Sequence, residues 1–454
     1  MLTLSSRNKI LLTVMVASFL TPFNGSAMNM SLPSLQKEYL VATSSLSWVI
    51  SLFLITCTIF LLPAGQLSNI LGKRKLFLWG TALFTVSSIV TQFADSFGTL
   101  LLFRCLQGIA SAILFTTGMA IIALVFPPQI RGKAFGMVVS VVYGGLALGP
   151  VIGGFLNYQF GWRSIFWFTS TVGLISWIMT MLWIKDEWIT EPHGKIDIVG
   201  SLLCGLSILL VMFGLSELNH YDWAKWVFFA GIVVTGIFIN NQRGKEHALL
   251  PVEIFLANKT FSFSNLAAML NYAATFAVGF LMSLYFQKVE GMNSQDAGLY
   301  MLITTLIMTI LSPVTGSLSD RVSPRLLASS GMGLIAISLI AMIYGIEIDS
   351  HVIIVTCLGI LGVGFALFSA PNNNSVMGSV PKQFVSLASS VINLIRLLGQ
   401  VFSMAIVAYI LSRAVPLAET PTHALITNIE IALVVFAVIC IIGIIPSYAR
   451  GKDS

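Results

Sequence analysis

The chain has 454 residues, 56% of them hydrophobic and only 9% charged, with a formal charge of +6. A soluble domain carries roughly 25% charged residues, so this composition excludes a water-soluble globular protein and makes lipid the solvent. Five cysteines set in apolar runs and five histidines scattered through loops exclude a disulfide framework and a metal cluster.

Hydropathy predicts an all-α integral membrane fold of fourteen transmembrane helices, at about 20 residues per crossing. The spans are 10–32, 45–68, 75–94, 98–125, 133–156, 163–185, 198–217, 224–241, 259–286, 296–318, 325–346, 350–371, 384–412 and 426–447. An even number puts both termini on one side. With that side cytoplasmic, and residues at the span ends counted with the adjoining loops, 17 of the 24 Lys and Arg fall in inner loops and tails, five in outer loops and two deep inside spans. The positive-inside rule selects this orientation, in the cytoplasmic membrane. The basic excess therefore reports topology, not nucleic-acid binding. The start, with Arg7, Lys9 and an apolar run, reads as the first span and not as a cleaved leader. Its apolar character continues unbroken through Met30 and Leu32.

Span one carries Phe23, Asn24, Asn29, Leu32 and Pro33. Phe23, Asn24 and Asn29 are candidates to line a cavity, with Trp48 and Phe53 of span two. Gly65, Ser68, Asn69, Gly72, Lys73, Arg74 and Lys75 follow at an inner helix end. Span four holds Arg104, with Gln107 and Gly108 one turn later. An intramembrane arginine is costly and faces the bundle interior or a wet cavity, unless it snorkels to an interface. Span five holds Gly136, Gly145, Gly149, Pro150, Gly153 and Gly154. Gly145, Gly149 and Gly153 fall four apart on one helix face, leaving a groove for close helix packing. Pro150 removes one helical hydrogen bond. The groove is expected to meet the opposite half of the molecule when the outside is closed.

Span seven ends at Glu217. Of the 18 acids only Glu217 and Glu430, in span fourteen, come near membrane depth, each toward an outer end. After span ten a second inner loop repeats the first, with Gly316, Ser319, Asp320, Arg321 and Arg325. Two copies in equivalent places imply two pseudo-symmetric six-helix halves with two extra helices between them. The expected divisions are 1–185, 186–257 and 258–454. In such a loop an acid can pair with a nearby Arg or cap a helix, acting as a cytoplasmic latch. Asp320 supplies that acid in the second copy; Asn69 replaces it in the first, where a weaker latch is expected. Gly65, Gly72, Arg74, Gly316 and Arg321 complete the two gates. Later cavity candidates are Asn271, Tyr272 and Phe276 in span nine, Asn372 and Asn373 in span twelve, and Arg396 in span thirteen as the counterpart of Arg104. Pro371 followed by three asparagines predicts either a broken helix lining a wet cavity or the start of a loop.

These strings carry a resemblance. The glycine run of span five is similar to the fifth-helix antiporter motif of drug exporters in the major facilitator superfamily. The stretch from Arg104 to Ala112 resembles the family's fourth-helix motif, and that from Asn24 to Pro33 the first-helix signature of its fourteen-span drug:proton antiporters. Both inner loops match the superfamily pattern. The resemblance implies export of lipophilic, cationic drugs or similar amphiphiles by alternating access, in exchange for protons. It implies a monomer surrounded by lipid, with no cofactor, no metal and no enzymatic activity. It implies a proton-relay role for Arg104, leaving Glu217 as the best-placed titratable group and Glu430 behind it. Asn24 departs from the family, which usually has Asp there; an amide cannot bind and release a proton. A gradient-independent uniporter, an exporter of a metabolite, siderophore or lipid, and a non-transporting sensor or assembly subunit stay open. No Walker loop or nucleotide fingerprint supports ATP-driven export.

Overall fold

In the computed structural model the described residues are 4–192, 194–219, 221–245, 248–250, 252–319, 321–381, 385–413 and 420–451. Among them the secondary structure is entirely helical. The first eight helices are α1 (Leu4–Tyr39), α2 (Thr43–Leu71), α3 (Lys73–Thr91), α4 (Phe97–Val125), α5 (Pro128–Phe160), α6 (Arg163–Trp183), α7 (Ile198–Ser216) and α8 (Ala224–Gln242). The rest are α9 (Val252–Ala257), α10 (Lys259–Thr275), α11 (Val278–Leu284), α12 (Ser294–Leu318), α13 (Pro324–Glu347), α14 (His351–Gly378), α15 (Val385–Leu411) and α16 (Pro421–Ala449). Thirteen helical stretches are long and apolar enough to cross a membrane, with α10, α11 and a π-helical turn (Tyr285–Val289) counted as one. The fourteenth span is α3. Its Lys-Arg-Lys start and its serines and threonines lower its hydropathy, but 19 residues still reach about 28 Å at 1.5 Å each. The fourteen-span all-α membrane fold is therefore present.

Contacts divide the chain into two compact units. One is Met1–Val41, Trp48–Val211 and Phe229–Leu250; the other is Ala42–Ser47, Met212–Phe228 and Pro251–Ser454. The extra helices α7 and α8 pack on each other through small residues. A Cβ on Gly214 would lie 2.5 Å from the Phe228 nitrogen, and one on Gly231 2.6 Å from the Val211 nitrogen.

Within the first unit α1 packs on α5 and α6, and α3 on α4 and α6. Within the second, α10 packs on α15 and α16, and α13 on α14 and α16. Numbered by span, each of these pairs in the first unit recurs eight spans later, so the two units repeat one packing scheme. The apolar core of the first unit joins Val14 and Leu20 of α1, Phe77 and Phe84 of α3, and Leu114 and Ile121 of α4. That of the second joins Ala267 and Tyr272 of α10, Met332 of α13 and Phe368 of α14.

Two features differ from the sequence expectation. The run after Pro371 is not broken: α14 continues through it to Gly378. Its asparagines clip neighbouring elements together. Asn372 donates to the Ser264 carbonyl at 3.2 Å and accepts from Arg450 at 2.9 Å, and Asn374 donates to Ser319 Oγ at 2.8 Å. The interruption falls instead in span nine, where α10 gives way at Phe276–Ala277 and the Ala277 N–H is satisfied by Ser403 Oγ at 3.0 Å.

Candidate functional site

Arg104 lies about two turns into α4 and is 0% exposed, so it does not snorkel. Its Nε donates to the Val49 carbonyl at 2.9 Å. Its Nη1 donates to Asn24 Oδ1 at 2.6 Å and to Gln107 Oε1 at 2.8 Å. Its guanidinium sits 4.4 Å from the centre of the Phe53 ring. Gln107 is oriented in turn by α3, donating to Ser88 Oγ at 3.2 Å and Thr91 Oγ1 at 3.5 Å. Gly108 makes the arrangement possible. A Cβ there would run into Thr56 Oγ1 and the Phe53 carbonyl, so only glycine lets α2 close on α4 and bring Val49 and Phe53 to the arginine. Among the described residues no carboxylate pairs with Arg104. Two donors of the cluster, Arg104 Nη2 and Asn24 Nδ2, are buried and make no hydrogen bond there. Asn24, Gln107 and Phe53 were legible as candidates; the Val49 carbonyl, Ser88 and Thr91 were not, because a backbone acceptor and two small hydroxyls have no motif.

The second unit repeats the backbone of this site without its charge. Gly362 of α14 corresponds to Gly108: a Cβ there would lie 2.5 Å from the Thr304 carbonyl of α12. Four residues earlier stands Leu358, where the first unit has Arg104. Asn271 of α10 is fully buried, and neither its oxygen nor its nitrogen finds a hydrogen-bond partner among the described residues. Arg396 of α15 is only half-buried. The second fully buried arginine is Arg450, at the end of α16, held by the Ser447 carbonyl and hydroxyl, Ser264 Oγ and Asn372 Oδ1.

The glycine groove of α5 is filled by α1 of the same unit. A Cβ on Gly145 would lie 2.9 Å from the Phe19 carbonyl, one on Gly149 2.6 Å from Ser26 Cβ, and one on Gly153 2.6 Å from Ala27 Cβ. Ser26 Oγ donates to the Leu146 carbonyl at 3.0 Å across the seam. This corrects the expectation that the groove waits for the opposite half: α1 already occupies it. Gly136 stands apart, with open space where its side chain would be. In the second unit Gly399 of α15 meets α10 in the same manner: a Cβ there would lie 2.7 Å from the Met269 carbonyl.

At the first inner loop the missing acid is supplied from elsewhere in the chain. Glu187 accepts from the backbone N–H of Arg74 at 2.9 Å and of Lys75 at 3.0 Å, capping α3. Lys73 donates to Asn69 Oδ1 and Thr190 Oγ1, both at 3.0 Å, and the Asn69 carbonyl accepts from Thr190 and Glu191. The loop is thus bound to residues 184–191, which sequence reasoning missed because they lie more than 100 residues away. Nearby, Asp197 caps α7 through the Gly200 N–H and accepts from Gln242 at 2.7 Å and Lys245 at 2.9 Å. Burial works against its charge, but the hydrogen bonds from Gln242, Lys245 and Gly200 hold its carboxyl below the ordinary aspartate value. In the second loop a Cβ on Gly316 would lie 3.7 Å from Ala370 Cβ, its nearest neighbour among the described residues, Arg321 is exposed, and Asp320 lies outside the described residues.

Among the other candidates, Phe23 stacks on Phe19 and lies tilted against Phe168, and Tyr272 meets Phe365 edge-on, so both rings belong to packed cores. Asn29 is buried, while Trp48, Phe276 and Asn373 are half-buried. Gly65 has open space beside it, and Gly72 takes a φ of +102° that favours glycine. Glu217 is half-buried just past the end of α7, and Glu430 is half-buried within α16.

Residues 14–404 match the Major Facilitator Superfamily. The riboflavin transporter RibZ of Clostridioides difficile is 27% identical over 443 residues, 96% of each chain. The multidrug resistance protein Stp of Mycobacterium tuberculosis is 24% identical over 389 residues, 85% of this chain and 72% of that one. The tetracenomycin C resistance and export protein of Streptomyces glaucescens is 26% identical over 385 residues, 83% of this chain and 71% of that one. A bacterial homologue of the human lysosomal transporter Spinster has the same fold, with a TM-score of 0.72 at 14% identity, over 99% of this chain and 97% of that one. With buried polar residues set inside fourteen spans and this match over most of its length, the chain belongs to the Major Facilitator Superfamily and is a multi-pass secondary transporter.

Proposed function

We propose that this protein exports lipophilic amphiphiles by alternating access in exchange for protons, as a monomeric member of the fourteen-span drug:proton antiporters. The observation that carries this reading is the α5 glycine run, whose Gly145, Gly149 and Gly153 offer no side chain of their own and let Pro22, Ser26 and Ala27 of α1 come into close contact. Such a seam of small residues lets two helices pack closely and shift with few bulky side chains to unlock. Relatives named for multidrug resistance and for tetracenomycin C export support a drug-like substrate, and one named for riboflavin transport supports a flat aromatic one. On this reading 1–185 and 258–454 are the rocking halves and 186–257 the inserted pair, with both termini cytoplasmic. Arg104, Asn24 and Gln107 form the polar centre of the cavity. Asn29 and Trp48 extend it in the first unit, Asn271, Phe276, Asn373 and Arg396 are the substrate-contacting candidates of the second, and Glu217 carries the coupled proton, with Glu430 behind it. The inner loops at Asn69 and Asp320 close the cytoplasmic side.

A gradient-independent uniporter is the second reading, favoured by Arg104 having amide and carbonyl partners and no carboxylate partner among the described residues. Purified protein in liposomes, loaded with a panel of drugs and dyes, separates the two. Movement that follows an imposed pH gradient supports antiport. Movement indifferent to the gradient supports uniport, and no movement of any compound overturns both.

A further inference from the structure

We infer that the Arg104–Asn24 pair binds an anionic oxygen group, such as a carboxylate, carried by the transported amphiphile. This inference rests on the exporter reading above and names its substrate class. Three observations converge on it. First, Arg104 is a permanent cation with no exposure, and no carboxylate among the described residues balances it. A buried charge without a counter-charge is costly, and an anion entering the site removes that cost. Secondly, the two polar atoms of the pair that lack hydrogen bonds are both donors, Arg104 Nη2 and Asn24 Nδ2. They belong to groups already joined by the 2.6 Å Nη1–Oδ1 bond, so a ligand reaching one is close to the other. A carboxylate brings two acceptor oxygens and no donor, which matches them. Thirdly, the groups at the site that would attract a cation are already engaged by Arg104. The carbonyl of Val49 and the amide oxygens of Asn24 and Gln107 already accept from Arg104. The Phe53 ring, which would attract a cation, already lies against the guanidinium at 4.4 Å.

The sequence substitution that creates this state is the amide at Asn24. An aspartate there would neutralise Arg104 internally; the asparagine leaves its charge for a guest. The substrate expected is a lipophilic molecule with at least one anionic oxygen group, not the cation that the resemblance implies.

Two xanthene dyes of similar size and opposite charge, fluorescein and rhodamine 123, test this. Binding to the full-length protein in nanodiscs is read by fluorescence anisotropy at pH 7.5. Release from proteoliposomes is read separately. Fluorescein should bind at least tenfold more tightly than rhodamine 123. The decisive variant is Asn24→Asp, which preserves volume and gives Arg104 a partner. It should weaken fluorescein at least tenfold and tighten rhodamine 123. Arg104→Lys should keep more fluorescein binding than Arg104→Gln. Preference for rhodamine 123 in the wild type, unchanged fluorescein binding in Asn24→Asp, binding of neither dye, or displacement of fluorescein by 0.15 M chloride but not gluconate would each overturn the inference. Fluorescein bound with the expected preference but never released would leave the site standing and overturn the exporter reading.

Discussion

At the residue scale, two acids outside the spans do work that no motif marks. Glu187 stands in for the acid that Asn69 lacks, by accepting the first N–H groups of α3. Removing such a cap costs about 1 kcal/mol. Glu187→Ala should therefore lower the melting midpoint in detergent by about 1–2 °C, with Glu187→Gln intermediate because one acceptor oxygen remains. Equal midpoints for all three proteins would remove the capping role. Asp197 gives a pH dependence whose sign follows from its partners. Its folded carboxyl is held below the ordinary value of 3.8, so its contribution is fully present above that value. The contribution disappears as pH falls through the lower folded value. Asp197→Asn should melt below the wild type by an amount that is constant above about pH 5 and shrinks at more acidic pH. A gap that widens on acidification would show the opposite sign.

At the element scale, the α5 glycines are not equivalent. Gly145, Gly149 and Gly153 touch α1, whereas Gly136 faces open space. A leucine at 149 must push α1 away, and overpacking of this kind costs about 1–3 kcal/mol. Gly149→Leu should abolish export while protein still reaches the membrane, and Gly136→Leu should keep at least half of it. Efflux counts on cells with matched expression decide this; loss at both positions would mean that the whole string, not the α1 seam, is what transport requires. The interruption of span nine is a second element-scale feature. It depends on Ser403 of α15 accepting the N–H freed at Ala277, so Ser403→Ala should destabilise the second unit by about 1–3 kcal/mol through an orphaned donor.

At the scale of the whole molecule, coupling is the open property, and it has one sharp measurement. Proton release on adding substrate to detergent-solubilised protein should occur in the wild type and vanish in Glu217→Gln, while Glu430→Gln retains it. Release that survives in Glu217→Gln removes that residue from coupling; transport with no release in any protein favours the uniporter. What the sequence by itself determined is the fold and much of the first unit's candidate site. Span number follows from hydropathy, because lipid permits only helices of a set length with their backbone bonds satisfied internally. Arg104, Asn24 and Gln107 stood out because polar groups are rare and costly in that solvent. The paired inner loops disclosed the repeat that the packing of α1 on α5 and α10 on α15 displays. Tertiary structure alone decided the partners. It seated α1 in the glycine groove, brought Glu187 to an α3 start 112 residues away, and put Arg450 rather than Arg396 among the fully buried side chains. It moved the helix break from Pro371 to Phe276. Asn372 and Asn374 are tied to side chains and carbonyls of other elements, and Ser403 of α15 receives the freed N–H. Those contacts join residues far apart in the chain, and hydropathy and spacing carry no information about which distant surfaces will meet.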